Sequence, residues 1–232
     1  MCGKYFFLFF LLAFVINLAY TQQIITLKKN NFISMDDTID DENVELWSKQ
    51  MNKLTSNPIY IYIDSPGGSV DAGLQFINNM NWHIKQGKTV NCIVKSAYSM
   101  AFNILQNCSN RYVMASSTLM QHQMSLGGIN GPLNNLMNYL EMIHSISNEI
   151  DNNVSKRIGL SLEDYRNKIK NDWWFTGITA LSNKVADEMV IVGCEPELYD
   201  ITSVKEDLVF DFDSTGSLEI KKVEKTKDLC PL

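Results

Sequence analysis

Strand-like and helix-like segments alternate along most of this 232-residue chain, and that alternation restricts the fold more than any single motif does. IITLKK reads as a short strand, and DDENVELWSKQMNKL as a helix with Val44, Trp47, Met51 and Leu54 at helical spacing behind an acidic start. PIYIYID is a strand by its β-branched and aromatic content. GLQFINNMNWHIKQG is a helix with Leu74, Ile77, Met80 and Ile84 on one face and Gly87 as its stop. TVNCIV gives the next strand, SMAFNILQNC a helix opening at Ser99, and RYVMA and TLMQHQ two further strands. This order predicts an α/β fold with a largely parallel sheet, in which functional groups gather where strands hand over to helices.

Beyond the glycine-rich break SLGGINGP, a long helix is predicted from Leu133 to Arg157, with Leu136, Leu140, Ile143, Ile146 and Ile150 as its apolar stripe. SLEDYRNKIK starts on the capping-box pattern of Ser161 and Asp164, WWFTGITALSNKV reads as turn and helix, and EMVIVG as a closing strand. From about Ser203 the composition changes to alternating acidic and basic residues with few core formers. Residues 203–232 are therefore expected to be a polar C-terminal tail, partly disordered or a small added hairpin, beyond one domain of residues 22–202.

Ahead of that domain, Lys4 precedes the unbroken apolar run YFFLFFLLAFVI, and Ala19 and Thr21 supply small residues for a cleavage point. Residues 1–21 read as a secretory signal peptide, or as a membrane anchor if Leu18 to Tyr20 join the run, which alone is shorter than the ~20 residues of a span. Either reading places the protein in the secretory pathway, extracytoplasmic or membrane-anchored; a cytoplasmic or organellar location is the alternative. Cys92, Cys108, Cys194 and Cys230 would then remain, an even number at spacings that match no metal motif, so disulfides are open to them. A net charge of −6 without a basic stripe argues against a nucleic-acid partner.

The chemistry that these residues could carry is that of a serine hydrolase, which needs a nucleophile, a base, a group orienting the base, and donors for the oxyanion. Ser99 stands between a predicted strand and helix, where a sharp turn exposes a hydroxyl, although a serine there is more often an N-cap. Of the three histidines, His144 falls within the long helix and His83 in the last turn of another; His122 lies in an extended segment before a glycine-rich loop, where its ring can face a cleft. Asp172 precedes Trp173, Trp174 and Phe175, an aromatic cluster able to shield a carboxylate from water, although an aspartate there is by itself more often exposed in a loop. SPGGSV, between strand and helix, and the residue after Ser99 offer backbone N–H groups from Gly68 and Met100 as an oxyanion hole.

YIYIDSPGGSVDAGL, AYSMAFNIL, RYVMASSTLMQHQMSLGGINGPLNNL and DWWFTGITALSNKVAD occur in an order and at spacings that resemble the proteolytic subunit of the Clp protease, over roughly Ile24 to Gly193. The resemblance implies a ClpP/crotonase-type repeated β-β-α core with a protruding handle helix, the handle matching Leu133 to Arg157. It implies Ser99 as nucleophile, His122 as general base and then acid, Asp172 as orienting carboxylate, and Gly68 and Met100 as oxyanion donors. The segment after Gly67, with Ser69 and Val70, would pair with an extended substrate backbone. No cofactor or metal is implied. The partners implied are a peptide or unfolded protein as substrate, further copies of the chain in two stacked heptameric rings, and an ATP-dependent unfoldase.

The chain departs from the family pattern close to the nucleophile, with Lys95 and Tyr98 where small residues are usual and Ala101 where glycine is. An extracytoplasmic peptidase would also not meet a cytosolic ATPase. Two alternatives to an active ring peptidase are therefore kept: a catalytically idle ring subunit or scaffold, and a membrane-associated signal-peptide-digesting peptidase, whose base would be a lysine such as Lys95. An acyl-CoA crotonase is disfavoured by the serine, histidine and aspartate at the peptidase positions.

Overall fold

The computed structural model describes residues 22–199, 202–212 and 218–232; the apolar run at residues 1–21, with its signal or anchor reading, lies outside them. Among the described residues no helix is long and apolar enough to cross a membrane. The main sheet is built from β1 (Gln23–Leu27), β2 (Phe32–Met35), β3 (Ile59–Ser65), β4 (Val90–Tyr98), β5 (Asn110–Gln121), β6 (Trp173–Thr176) and β7 (Glu188–Cys194). Its order is β1-β7-β5-β4-β3-β2, parallel throughout, with β6 added antiparallel to β5. The crossovers carry α1 (Asp41–Lys53), α2 (Val70–Lys85), α3 (Met100–Gln106), α4 (Leu133–Ile158), α5 (Leu162–Lys168) and α6 (Gly177–Ser182). The expected α/β architecture with a largely parallel sheet is thus present, as is the long helix.

Central strands of a parallel sheet are covered on both faces, which is why β3 and β4 read as nearly continuous apolar runs. On one face Ile61, Ile63, Cys92 and Val94 join Trp47, Phe76, Phe102 and Phe175 in the larger core under the helices. On the other face Tyr62, Ile93, Tyr112, Ile25 and Leu27 form a smaller cluster, closed by Leu198 and by Cys230 from the C-terminus. Residues 202–212 (β8, Thr202–Phe212) and 218–228 (β9, Leu218–Asp228) pair only with each other, after which the chain returns and Cys194–Cys230 ties it to the end of β7. Cys92 and Cys108 form a second disulfide, their Cα atoms 5.9 Å apart, between β4 and the turn after α3.

Three local readings need correction. RYVMA and TLMQHQ are one strand, β5, bent where Ser117 Oγ accepts the Met114 N–H at 2.7 Å and donates to the Val94 carbonyl at 2.5 Å. The bend lets the first half of β5 pair with β7 and the second half with β6, so small residues that resemble a break mark a bulge instead. Trp173–Thr176 is a strand rather than a turn, because β5 offers it an antiparallel edge. Phe32–Met35, left without an element in the sequence, pairs with β3 as an edge strand too short to show periodicity.

Burial of charge also fixes the frame. Arg111, at the start of β5, forks onto Asp187 ahead of β7 through Nε (3.0 Å) and Nη2 (2.5 Å) and donates from Nη1 to Gln106 Oε1 at 2.6 Å. Asp187 also accepts the Arg111 backbone N–H at 2.8 Å. Burial opposes ionisation of Asp187, but the bonds from Arg111 and the charges of Arg111 and Arg157 outweigh it and hold the carboxyl below the usual range.

Candidate active site

Ser99 joins β4 to α3 with φ 54° and ψ −118°, a left-handed conformation that a residue with a side chain adopts only under constraint. Its N–H donates to the Met120 carbonyl at 2.9 Å, and its own carbonyl accepts the Asn103 N–H at 3.3 Å. Although Ser99 occupies the N-cap position of α3, its hydroxyl makes no capping bond. A half-buried serine whose hydroxyl is not used by the helix is available for chemistry, which weakens the plain N-cap interpretation.

Gly67 and Gly68 pack against this turn from the end of β3. A Cβ on Gly67, at φ 90°, would lie 2.5 Å from the Tyr98 carbonyl, 2.9 Å from Ser99 Cβ and 3.0 Å from the Met100 nitrogen. Only glycine keeps that space open beside the serine. Gly68 bridges to Ile39: the Ile39 N–H donates to the Gly67 carbonyl at 2.9 Å, and the Ser69 N–H to the Ile39 carbonyl at 2.7 Å. In a parallel bridge of this kind the N–H of Gly68 itself points away from Ile39. Gly68 thus has a main-chain donor outside the bridge, and Met100 has the first N–H of α3, which no turn of that helix can use. Ser69 is the N-cap of α2 and Val70 its first residue, so the non-helical main chain at this edge runs as far as Ser69, at φ −59° and ψ 127°.

His122 follows β5 and is half-buried; Asp172 precedes β6. The antiparallel register pairs Met120 with Trp174 and Gln121 with Trp173 and ends there, with His122 the next residue after β5 and Asp172 the residue before β6. Tyr98, whose Cα partner in β5 is Met120, meets Trp174 edge to face with ring centroids 5.3 Å apart, and its hydroxyl shares a 2.7 Å bond with Thr118. The serine turn, His122 and Asp172 therefore lie at the adjoining ends of β4, β5 and β6. Among the described residues no hydrogen bond closes between the three side chains; bonds of this kind often tighten only in the substrate complex.

The aromatic cluster does not shield Asp172, which is exposed, as an aspartate in such a loop more often is. Neighbours in a strand face opposite ways, so Trp173 turns to Phe175 (4.5 Å between centroids) and under the Lys168 ammonium (4.9 Å), while Trp174 goes to Tyr98. His83 and His144 stand apart from this convergence: His83 shares a 2.9 Å bond with Asn52, and His144 lies midway along α4. Lys95 pairs with Asp64 at 2.8 Å and lines a cavity of about 220 Å³ with Tyr62 and the C-terminal residues Cys230 to Leu232.

Two residues of this region escaped the sequence reading. Asn103 is buried in the middle of α3 and Gln121 at the end of β5, joined by a bond of 3.4 Å between Gln121 Nε2 and Asn103 Oδ1. Their signal was an amide at an apolar position, visible in MAFNILQ for Asn103 and in TLMQHQ for Gln121 but without a partner to give it meaning.

Residues 18–192 match the family model described as Clp protease. The chain is similar to the ATP-dependent Clp protease proteolytic subunit 2 of Cutibacterium acnes, at 26% identity over 168 residues, which cover 71% of this chain and 79% of that protein.

Proposed function

Because this chain belongs to the Clp protease family, we propose that it is a serine endopeptidase in which Ser99 attacks the peptide carbonyl, His122 takes and returns the proton, and Asp172 orients His122. The observation that carries this reading is the turn at Ser99, a strained left-handed serine whose hydroxyl makes no capping bond, at the end of β4 beside the ends of β5 and β6 that His122 and Asp172 adjoin. Gly68 and Met100 donate to the oxyanion from the two sides of the space that Gly67 leaves open. The substrate is a peptide or unfolded chain, laid against the edge at Gly67 and Gly68 as an added strand, with Ser69 and Val70 framing it from the start of α2. The ion pair of Lys95 with Asp64 supports histidine rather than lysine as the base.

The subunit works in a ring, and two rings stack through α4, whose outer half presents Leu133, Met137 and Leu140 to solvent at 72%, 54% and 46% exposure. An ATP-dependent unfoldase is the partner that the family relationship brings with it, provided that both meet in one compartment. For the N-terminus the reading remains a signal or an anchor, which the N-terminal sequence of the protein purified from its source tests: a start near Gln22 supports cleavage, and retention of Phe6 to Phe14 supports an anchor.

A fluorophosphonate probe tests the central reading. It should label Ser99 in the full chain, and Ser99→Ala should abolish labelling and lower peptide hydrolysis by roughly four orders of magnitude or more. His122→Ala should do the same and Lys95→Ala should not. Ring assembly without labelling would support the idle-subunit reading, and labelling that persists in Ser99→Ala would refute the assignment.

A further inference from the structure

We infer that Asn103 and Gln121 are positioning residues, a buried amide bridge that aims the Met100 N–H at the oxyanion and fixes the nucleophile's turn to the strand bearing the base. The inference rests on the reading of Ser99, Met100 and His122 given above.

The bridge occupies ground that would otherwise be apolar. Asn103 is 8% exposed and Gln121 3%, and a buried amide costs free energy unless its polar atoms are used. Asn103 uses them on Ser99: its backbone N–H reaches the Ser99 carbonyl at 3.3 Å and its side-chain Nδ2 reaches the same oxygen at 3.4 Å. Its Oδ1 accepts from Gln121 Nε2 at 3.4 Å, and that nitrogen also donates to the Tyr165 phenol at 3.2 Å. Gln121 Oε1 has no partner among the described residues, so the site retains an orphaned acceptor in order to keep this amide.

What the bridge holds is one peptide plane. The Ser99 carbonyl and the Met100 N–H belong to the same planar trans unit and point in opposite directions. Gripping the carbonyl on the core side therefore aims the N–H outward, toward the space beside Gly67. Gln121 stands between Met120, whose carbonyl accepts the Ser99 N–H, and His122. Both ends of the Ser99 main chain are thus tied, directly and through Asn103, to the same stretch of β5. A residue at φ 54° relaxes unless its surroundings over-determine it, and these are the contacts that do so.

A donor aimed at the oxyanion acts on the transition state more than on binding. The test compares the unmodified full chain with Asn103→Leu, Gln121→Met and the double variant, measuring the maximal rate and half-saturation of fluorophosphonate labelling at Ser99 together with the denaturation midpoint. Each single variant should lower the maximal rate by roughly tenfold, a fraction of what losing an oxyanion donor outright costs, with half-saturation within about twofold. The double variant leaves neither amide unpaired, so its midpoint should recover towards that of the unmodified chain while its rate stays low. A double variant that labels within about twofold of the unmodified chain would overturn the inference and leave the serine assignment standing. Failure of the unmodified chain to label would overturn the assignment and the inference together.

Discussion

Gly67 and Ser99 are in such close contact that a Cβ on the glycine would fall 2.9 Å from that of the serine, while also striking the Tyr98 carbonyl at 2.5 Å. The loop after β3 and the turn after β4 are therefore one unit, and the space between them exists only because residue 67 has no side chain. Gly67→Ala should displace one of the two, and at φ 90° it adds backbone strain of roughly 1–3 kcal/mol. Probe labelling of Ser99 should be lost even at temperatures where circular dichroism shows the variant folded, and labelling at the unmodified rate would contradict this arrangement.

Asp187 keeps the buried Arg111 compensated, and removing it should be costly. Asp187→Asn leaves the guanidinium without its counter-charge, which for a buried pair amounts to about 3 kcal/mol, with Asp187's own partial exposure favouring the low end. The pH dependence has a definite sign. The folded carboxyl titrates below its unfolded value, so its contribution is fully present above the ordinary aspartate range and is lost as pH falls through the folded pKa. Urea midpoints measured from pH 7 down to pH 3 should converge between Asp187→Asn and the unmodified chain as the pH drops.

Sheet, helix order and the position of Ser99 at a strand-to-helix junction were legible because local periodicity carries them. The pairing that brings the residue before β6, Asp172, to the end of β5 was not, since Trp173–Thr176 is a strand only by virtue of the edge that β5 offers it. The alternation of Trp173 and Trp174 between two faces follows from the same pairing, which is why the aromatic cluster does not shield Asp172. Asn103 and Gln121 were opaque for a related reason: each is an anomaly alone and acquires a role only from the other, 18 residues away.

Cys194 and Cys230 close a loop across a sequence separation of 36 residues and bring the C-terminal residues onto Tyr62, Ile93 and Tyr112. In the chain-entropy account such a cross-link contributes roughly 4 kcal/mol. Peptide mapping without reduction should recover the Cys194–Cys230 and Cys92–Cys108 pairs. Cys230→Ser should lower the melting temperature by several degrees and expose residues 229–232 to carboxypeptidase, and an unchanged melting temperature would show that burial of the tail alone suffices.

Leu133, Met137 and Leu140 recur at helical spacing on the exposed outer half of α4, whereas Val154 and Ile158 at its other end are buried in the core. A 26-residue helix is about 39 Å long, so its outer turns extend well beyond the residues that anchor it. An apolar face held away from its own core marks a contact surface, and stacked copies of the same helix would cover it. Met137→Lys with Leu140→Lys should leave the unfolding free energy of the separated subunit within about 0.5 kcal/mol, as substitutions away from the core usually do. The same pair should shift sedimentation from the assembled form to smaller species. An unaltered sedimentation profile would place the contact between copies elsewhere on the chain.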